Sequence, residues 1–138
     1  MTAAYSALNP ANSGVYRAPS NVESVHDNLG AAALWLAVDL SLVRNKSQLL
    51  SALQGACGFA ATFGHNWDAL ADGLQEMSCC PAPAYVLHLQ HAERAAGSLG
   101  PDWATLLEVL TESADYWKAQ GKPFVVFVDG PAALPEWN

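Results

Sequence analysis

FGHNWDALADGL, residues 63–74, sets two carboxylates one helical turn apart. Asp68 and Asp72 stand at i, i+4 and share a face, while Trp67, Leu70, Leu74 and Met77 recur at helical spacing on another. Asn66 is a good N-cap and Gly64 suits a tight turn ahead of it. The stretch therefore predicts a helix that starts at Trp67, with Asp68 in its first turn near the positive end of the helix dipole. One side packs and the other presents negative charge. Two like charges at this spacing cost about 0.2–0.5 kcal/mol in an isolated helix. No Lys or Arg occurs from Ser47 to Glu93, so Asp68, Asp72, Glu76 and Glu93 give the stretch a uniformly negative field.

The 138 residues are enough for one domain with an ordinary core and no need of metals or disulfides. Thirteen acids against six Lys and Arg give a formal charge of -7, which argues against nucleic acid and for a basic protein as partner. Cys57, Cys79 and Cys80 form no C-x-x-C motif and no paired ligand spacing; reduced thiols in a cytoplasm are the expectation. The start, MTAAYSALNP, carries neither a basic n-region nor an apolar h-region. No apolar run approaches the roughly 18 residues of a membrane span, so a soluble, cytoplasmic protein is expected.

Residues 1–30 read as an arm, with Pro10, Gly14 and Pro19 early and a short helix over Asn21–Leu29 that Ser20 and Glu23 would cap and Gly30 would stop. Ala33–Leu40 is short and almost continuously apolar, as in a strand covered on both faces. Ser47 can then cap a helix with Leu49, Leu50, Leu53, Ala56 and Cys57 on one stripe, ending at Gly58. After the acidic helix, Ala84–Leu89 is a second strand. Glu93–Ala96 add a turn of helix that Gly97 and Gly100 break. Pro101 opens a long helix on Trp103, Leu106, Leu107, Leu110, Ala114 and Trp117. Phe124–Val128 is the third strand. Strands alternating with helices indicate an α/β fold, a small three-stranded parallel sheet packed with helices over residues 31–130, with an irregular tail at 131–138 from which Trp137 packs back.

Rival chemistries are weaker. An Asp68/Asp72 pair is short of ligands for Mg²⁺ and lacks the bases that would hold a phosphate substrate. His88 and His91 form an H-x-x-H without a third ligand, and His88 in a strand reads as a packed or edge side chain. Cys79 and Cys80 have no neighbouring base. No phosphate loop or nucleophile elbow is present. No catalytic residue, metal or cofactor is expected, and the chain does not read as an enzyme.

The turn and helix FGHNWDALADGL resemble the aromatic-Gly-x-Asn-x-Asp-Ala-Leu-x-Asp signature of the barstar family, the intracellular inhibitors of barnase-type ribonucleases. The order of elements from about Ala33 to Asp129 is similar as well. The resemblance implies a small parallel three-stranded sheet with helices, whose acidic helix and preceding loop plug the active site of a basic ribonuclease in a 1:1 complex. Asp68 and Asp72 match the two helix acids that meet the enzyme's Arg and Lys side chains, and Asp72 takes the phosphate position. A carboxylate on a rigid helix can imitate phosphate through charge-assisted hydrogen bonds. Gly64, His65, Asn66, Trp67, Ala71 and Glu76 would supply shape and polar contacts around them. Several positions depart from the family pattern: Thr62 and Ala71 replace aromatics, Met77 replaces another, and His65 replaces an acid. A further acidic contact falls at about Tyr116, with Asp115 beside it. The expected function is inhibition of a basic ribonuclease; the alternative is a module of the same build that binds a different basic protein, such as a toxin that is not a ribonuclease or a regulator.

Overall fold

Three apolar runs supply the strands that organise the chain. The computed structural model describes residues 8–59, 64, 66–77, 80–130 and 133–137. In order they form β1 (Gly14–Arg17), α1 (Val22–Leu29), β2 (Leu34–Asp39), α2 (Lys46–Cys57), α3 (Trp67–Glu76), β3 (Tyr85–Gln90), α4 (Ala92–Leu99), α5 (Pro101–Ala119) and β4 (Phe124–Val128). The strands make one parallel sheet in the order β1-β4-β3-β2. Central β3 and β4 are the two runs with almost no exposed residue, as strands covered on both faces should be.

The period of two then separates two cores. Tyr85, Leu87 and Leu89 of β3 and Phe124, Val126 and Val128 of β4 face a large cluster filled by Leu49 and Leu53 of α2, Leu70 and Leu74 of α3, and Leu106 and Leu110 of α5. Val86, Val125 and Phe127 point the other way and meet Val25 and Leu29 of α1. Helices α2 to α5 thus cover one face and α1 the other. Trp137 packs back on the α1 side, edge-on to Tyr16 and Phe127.

Four expectations need correction. The sheet has four strands among the described residues, not three: β1, from the arm, pairs with β4 with Gly14 opposite Val125 and Arg17 opposite Val128. Four residues between Pro and Gly punctuation carry too short an alternation to read as a strand. Yet Val15 packs on the large core and Tyr16 on the smaller one, and Ser13 Oγ accepts from the Phe124 amide at 3.0 Å. Second, β2 is an edge strand with Ala37 and Asp39 exposed rather than a strand covered on both faces; only Val38 is fully buried within it. Third, two caps shift. Asn45, not Ser47, caps α2 by accepting from Gln48 N at 2.9 Å, and α1 has no side-chain cap, so the Ser20/Glu23 box does not form. Fourth, α4 runs through Gly97 to Leu99. Its buried stripe of Ala92, Ala95 and Leu99 outweighs the roughly 1 kcal/mol that an exposed Gly costs a helix.

Candidate functional site

Helix α3 begins as its sequence demands. Asn66 is extended at φ -150° and its Oδ1 accepts from the Ala69 amide at 2.7 Å, satisfying a donor that the first turn leaves orphaned. Gly64 lies so close that a Cβ there would stand 3.1 Å from Asn66 Nδ2. Asp68 is in the first turn, and Asp68, Asp72 and Glu76 are all on the outer side of the helix, away from buried Leu70 and Leu74. Neither Asp68 nor Asp72 has an ion-pair partner among the described residues.

The opposite face fixes the helix. Leu70 and Leu74 are 0% and 1% exposed, and burial of a side chain of this size contributes about 1.5–3 kcal/mol. Trp117 of α5 donates its indole Nε1–H to the Leu74 carbonyl at 2.8 Å, a cross-helix bond in the core. A Cβ on Gly73 would come within 2.9 Å of the Phe59 ring, so the chain leaving α2 is seated directly on the α3 backbone. Met77 ends the helix in the left-handed conformation at φ 49°, with its side chain 2% exposed. Packing exceeds the few tenths of a kcal/mol of Asp68–Asp72 repulsion by an order of magnitude, so the acids are held close together on a rigid support.

The expected contact residues divide into three groups. Gly64, Asn66, Asp68, Asp72 and Glu76 lie on one solvent-facing surface. Trp67 and Ala71 are half-buried and pack against the large core, so they shape the edge of that surface more than they project from it. Thr62 and His65 lie outside the described residues, as does Cys79. Met77, where the family pattern has an aromatic, is a core residue. Tyr116 and Asp115 are exposed near the other end of α3: the Tyr116 ring stands edge-on to Trp117 at 5.2 Å, and Trp117 is bonded to α3.

Sequence reasoning missed Lys46. It opens α2, one position ahead of the long stretch without bases, and its Nζ lies 5.3 Å from the centre of the Trp67 ring. A cation–π contact at a protein surface is worth about 0.5–1 kcal/mol. The negative field at the start of α3 is therefore trimmed by one cation. The sole signal in the sequence is its position at the border of that stretch; the contact itself is tertiary.

The rival sites do not assemble. His88 Nε2 and Asp129 Oδ1 are 2.8 Å apart, and the other Asp129 oxygen accepts from the His91 amide at 3.1 Å, so the H-x-x-H is tied up in a strand-end network. No group of three His, Cys, Asp or Glu side chains among the described residues converges as a metal site would require. Cys57 is buried and Cys80 half-buried. No helix of the described residues is long and apolar enough to cross a membrane.

Comparison with curated proteins finds no match. A family model does match, over residues 33–129, the span from the residue before β2 to the residue after β4. With most of the chain covered, the acidic helix inside the matched span and the parallel sheet behind it, this protein belongs to the family described as Barstar (barnase inhibitor).

Proposed function

We propose that the protein inhibits a basic ribonuclease by a 1:1 complex in which α3 and the loop before it cover the enzyme's phosphate site. The observation that supports this most is the pair of carboxylates, Asp68 and Asp72, that have no ion-pair partner among the described residues, on a helix whose other face is buried and hydrogen-bonded to α5. Asp72 is the central anchor and substitutes for an RNA phosphate; Asp68 binds beside it; Gly64, His65, Asn66, Trp67, Ala71, Thr62 and Glu76 frame them. Charge-assisted hydrogen bonds from enzyme Arg and Lys side chains are the stronger class of such bonds. Preorganisation on a packed helix spares the ordering cost on binding. The inhibitor works inside the cell that makes the nuclease.

Cleavage of RNA by a barnase-like ribonuclease, followed as this protein is added, tests the proposal. Cleavage should fall to zero near one equivalent, and Asp72→Ala should shift the inhibition curve by orders of magnitude. Undiminished cleavage at large excess would remove ribonuclease inhibition. Thr62, His65, Ala71 and Met77 differ from the family pattern and favour a cognate enzyme distinct from barnase itself. They also keep open a second reading, a different basic protein held by the same face.

A further inference from the structure

The two edges of the sheet differ. β1 is four residues long and meets the tail of the chain: the Arg17 amide donates to the Pro135 carbonyl at 2.8 Å, and Arg17 and Glu136 form a bridge. At the opposite edge no strand pairs with the outer side of β2 among the described residues. Natural sheets protect such an edge with Lys, Pro, a bulge or a very short strand. β2 has none of these: its six residues run in unbroken register with β3, and no charged residue occurs from Gly30 to Val38. Apolar surface continues past both ends of the strand. Ala31 and Ala32 ahead of it are exposed, and Leu42 behind it is 81% exposed. The turn that carries Leu42 is fixed by the Ser41 amide on the Asp39 carboxylate at 2.9 Å and the Val43 amide on the Leu40 carbonyl at 3.1 Å.

The ladder to β3 decides which backbone groups face outward. The Leu34 amide donates to the Ala84 carbonyl and the Leu40 amide to the Gln90 carbonyl, both toward β3. A residue turns its N–H and C=O to the same side of the strand, and the side alternates along it. Trp35, Ala37 and Asp39 therefore present theirs to the open edge.

We propose that β2 is the interface of a homodimer, in which the β2 strands of two copies pair antiparallel about a twofold axis at Leu36 and join the two sheets into one. This register satisfies the outward backbone groups and the side chains together. Trp35 of each copy stands opposite Ala37 of the other, and the two exchange N–H···O=C bonds in both directions. A large side chain is thereby set beside a small one. On the other face of the sheet, where Leu34, Leu36 and Val38 join the large core, Leu36 meets Leu36 and Leu34 meets Val38. Leu42 falls beside Gly30–Ala32 of the second copy. Asp39 falls opposite Ala33, which leaves the two Asp39 residues about 20 Å apart along the strands, beyond the screening length of about 8 Å at physiological ionic strength. The contact thus brings no like charges together despite the formal charge of -7 per chain. Moving the axis to Ala37 would set Asp39 against Trp35 instead. Any strand could meet the backbone groups; the match of β2 to itself, as a twofold interface requires, selects a second copy. The inference stands apart from the function proposed for α3, which packs on α5.

Sedimentation equilibrium of the full chain at rising concentration, with amide hydrogen exchange measured on dilute and concentrated samples, tests the proposal. A monomer–dimer equilibrium is expected. In the dimer the amides of Trp35, Ala37 and Asp39 should gain at least tenfold protection, while those of Leu34, Leu36 and Val38 are protected at every concentration. Ala37→Pro removes an outward amide without touching the ladder to β3, as proline on an edge strand can, and should weaken dimerisation at least tenfold with an unchanged circular dichroism spectrum. The substitution Leu42→Lys, at an exposed position, should weaken dimerisation as well, and Asp68→Asn/Asp72→Asn should leave it unchanged. A monomer at every concentration, a dimer whose added protection falls outside β2, loss of the dimer in Asp68→Asn/Asp72→Asn, or folded Ala37→Pro and Leu42→Lys proteins that dimerise as tightly as the parent would overturn the proposal.

Discussion

Asn66 links the order of the loop to the placement of the acids. Its side chain closes the first turn of α3 at 2.7 Å, and the loss of such a cap costs about 0.5–2 kcal/mol. Asn66→Ala is therefore expected to lower the melting temperature by a few degrees and to weaken partner binding as Asp68 loses its fixed position; a Tm equal to that of the parent would show that the cap carries no stability. Asp72 should behave in the opposite way. It has no ion-pair partner among the described residues and stands one turn from Asp68, so Asp72→Ala relieves about 0.2–0.5 kcal/mol of repulsion. Chemical denaturation should find this variant as stable as the parent or slightly more so. Marked unfolding would mean that Asp72 is a structural residue and would remove it from the interface. The cap and the acid pair are legible in the sequence because both depend on residues within one turn of each other. Lys46 is not, since its place over Trp67 depends on how α2 and α3 pack.

Helix α3 owes its rigidity to two Leu side chains and one hydrogen bond from α5. Trp117→Phe keeps most of the ring's packing yet deletes the donor to the Leu74 carbonyl, leaving a buried acceptor unsatisfied at a cost of about 1–3 kcal/mol. The expected result is a lower urea midpoint with unchanged helix content; an unchanged midpoint would show that water satisfies that carbonyl. Long elements with strong periodicity are legible in the sequence: α3, α5 and β4 fall where their apolar spacing puts them. Elements that rest on tertiary context are not. Gly97 reads as a breaker, yet burial of Ala92, Ala95 and Leu99 carries α4 past it. The Ala33–Leu40 run reads as fully covered, yet nothing in a short apolar run distinguishes a central strand from an edge strand with one protected face.

At the scale of the molecule, the arm extends the sheet. β1 covers one edge of β4, Arg17 pairs with Glu136, and the Arg17 amide donates to the Pro135 carbonyl at 2.8 Å, so the segments near both chain ends meet on that edge. The exposed ion pair contributes at most about 1 kcal/mol, and partial burial of Val15 and Tyr16 contributes more. Deleting residues 1–18 should therefore lower stability by about 2–4 kcal/mol in urea denaturation and promote self-association through the bared β4 edge. A truncated protein with the full-length midpoint, monomeric by sedimentation, would refute this role. The family's pattern covers the sheet from β2 onward, which is why the sequence points to three strands; the fourth is too short to declare itself and forms only because β4 offers it an open edge.

All of these features converge on a negatively charged helix held rigid on a packed support, the surface proposed to meet a basic partner. Calorimetric titration of this protein, and of Asp72→Ala, into a barnase-like ribonuclease at low and moderate salt measures that directly. Tight 1:1 binding is expected, weakened by added salt and reduced by several kcal/mol in the variant, largely because the enzyme's buried cation is left unpaired. The barnase–barstar pair is itself the reference case for charge coupling of that size. Equal affinity for the parent and Asp72→Ala would contradict the assignment of α3 as the inhibitory surface.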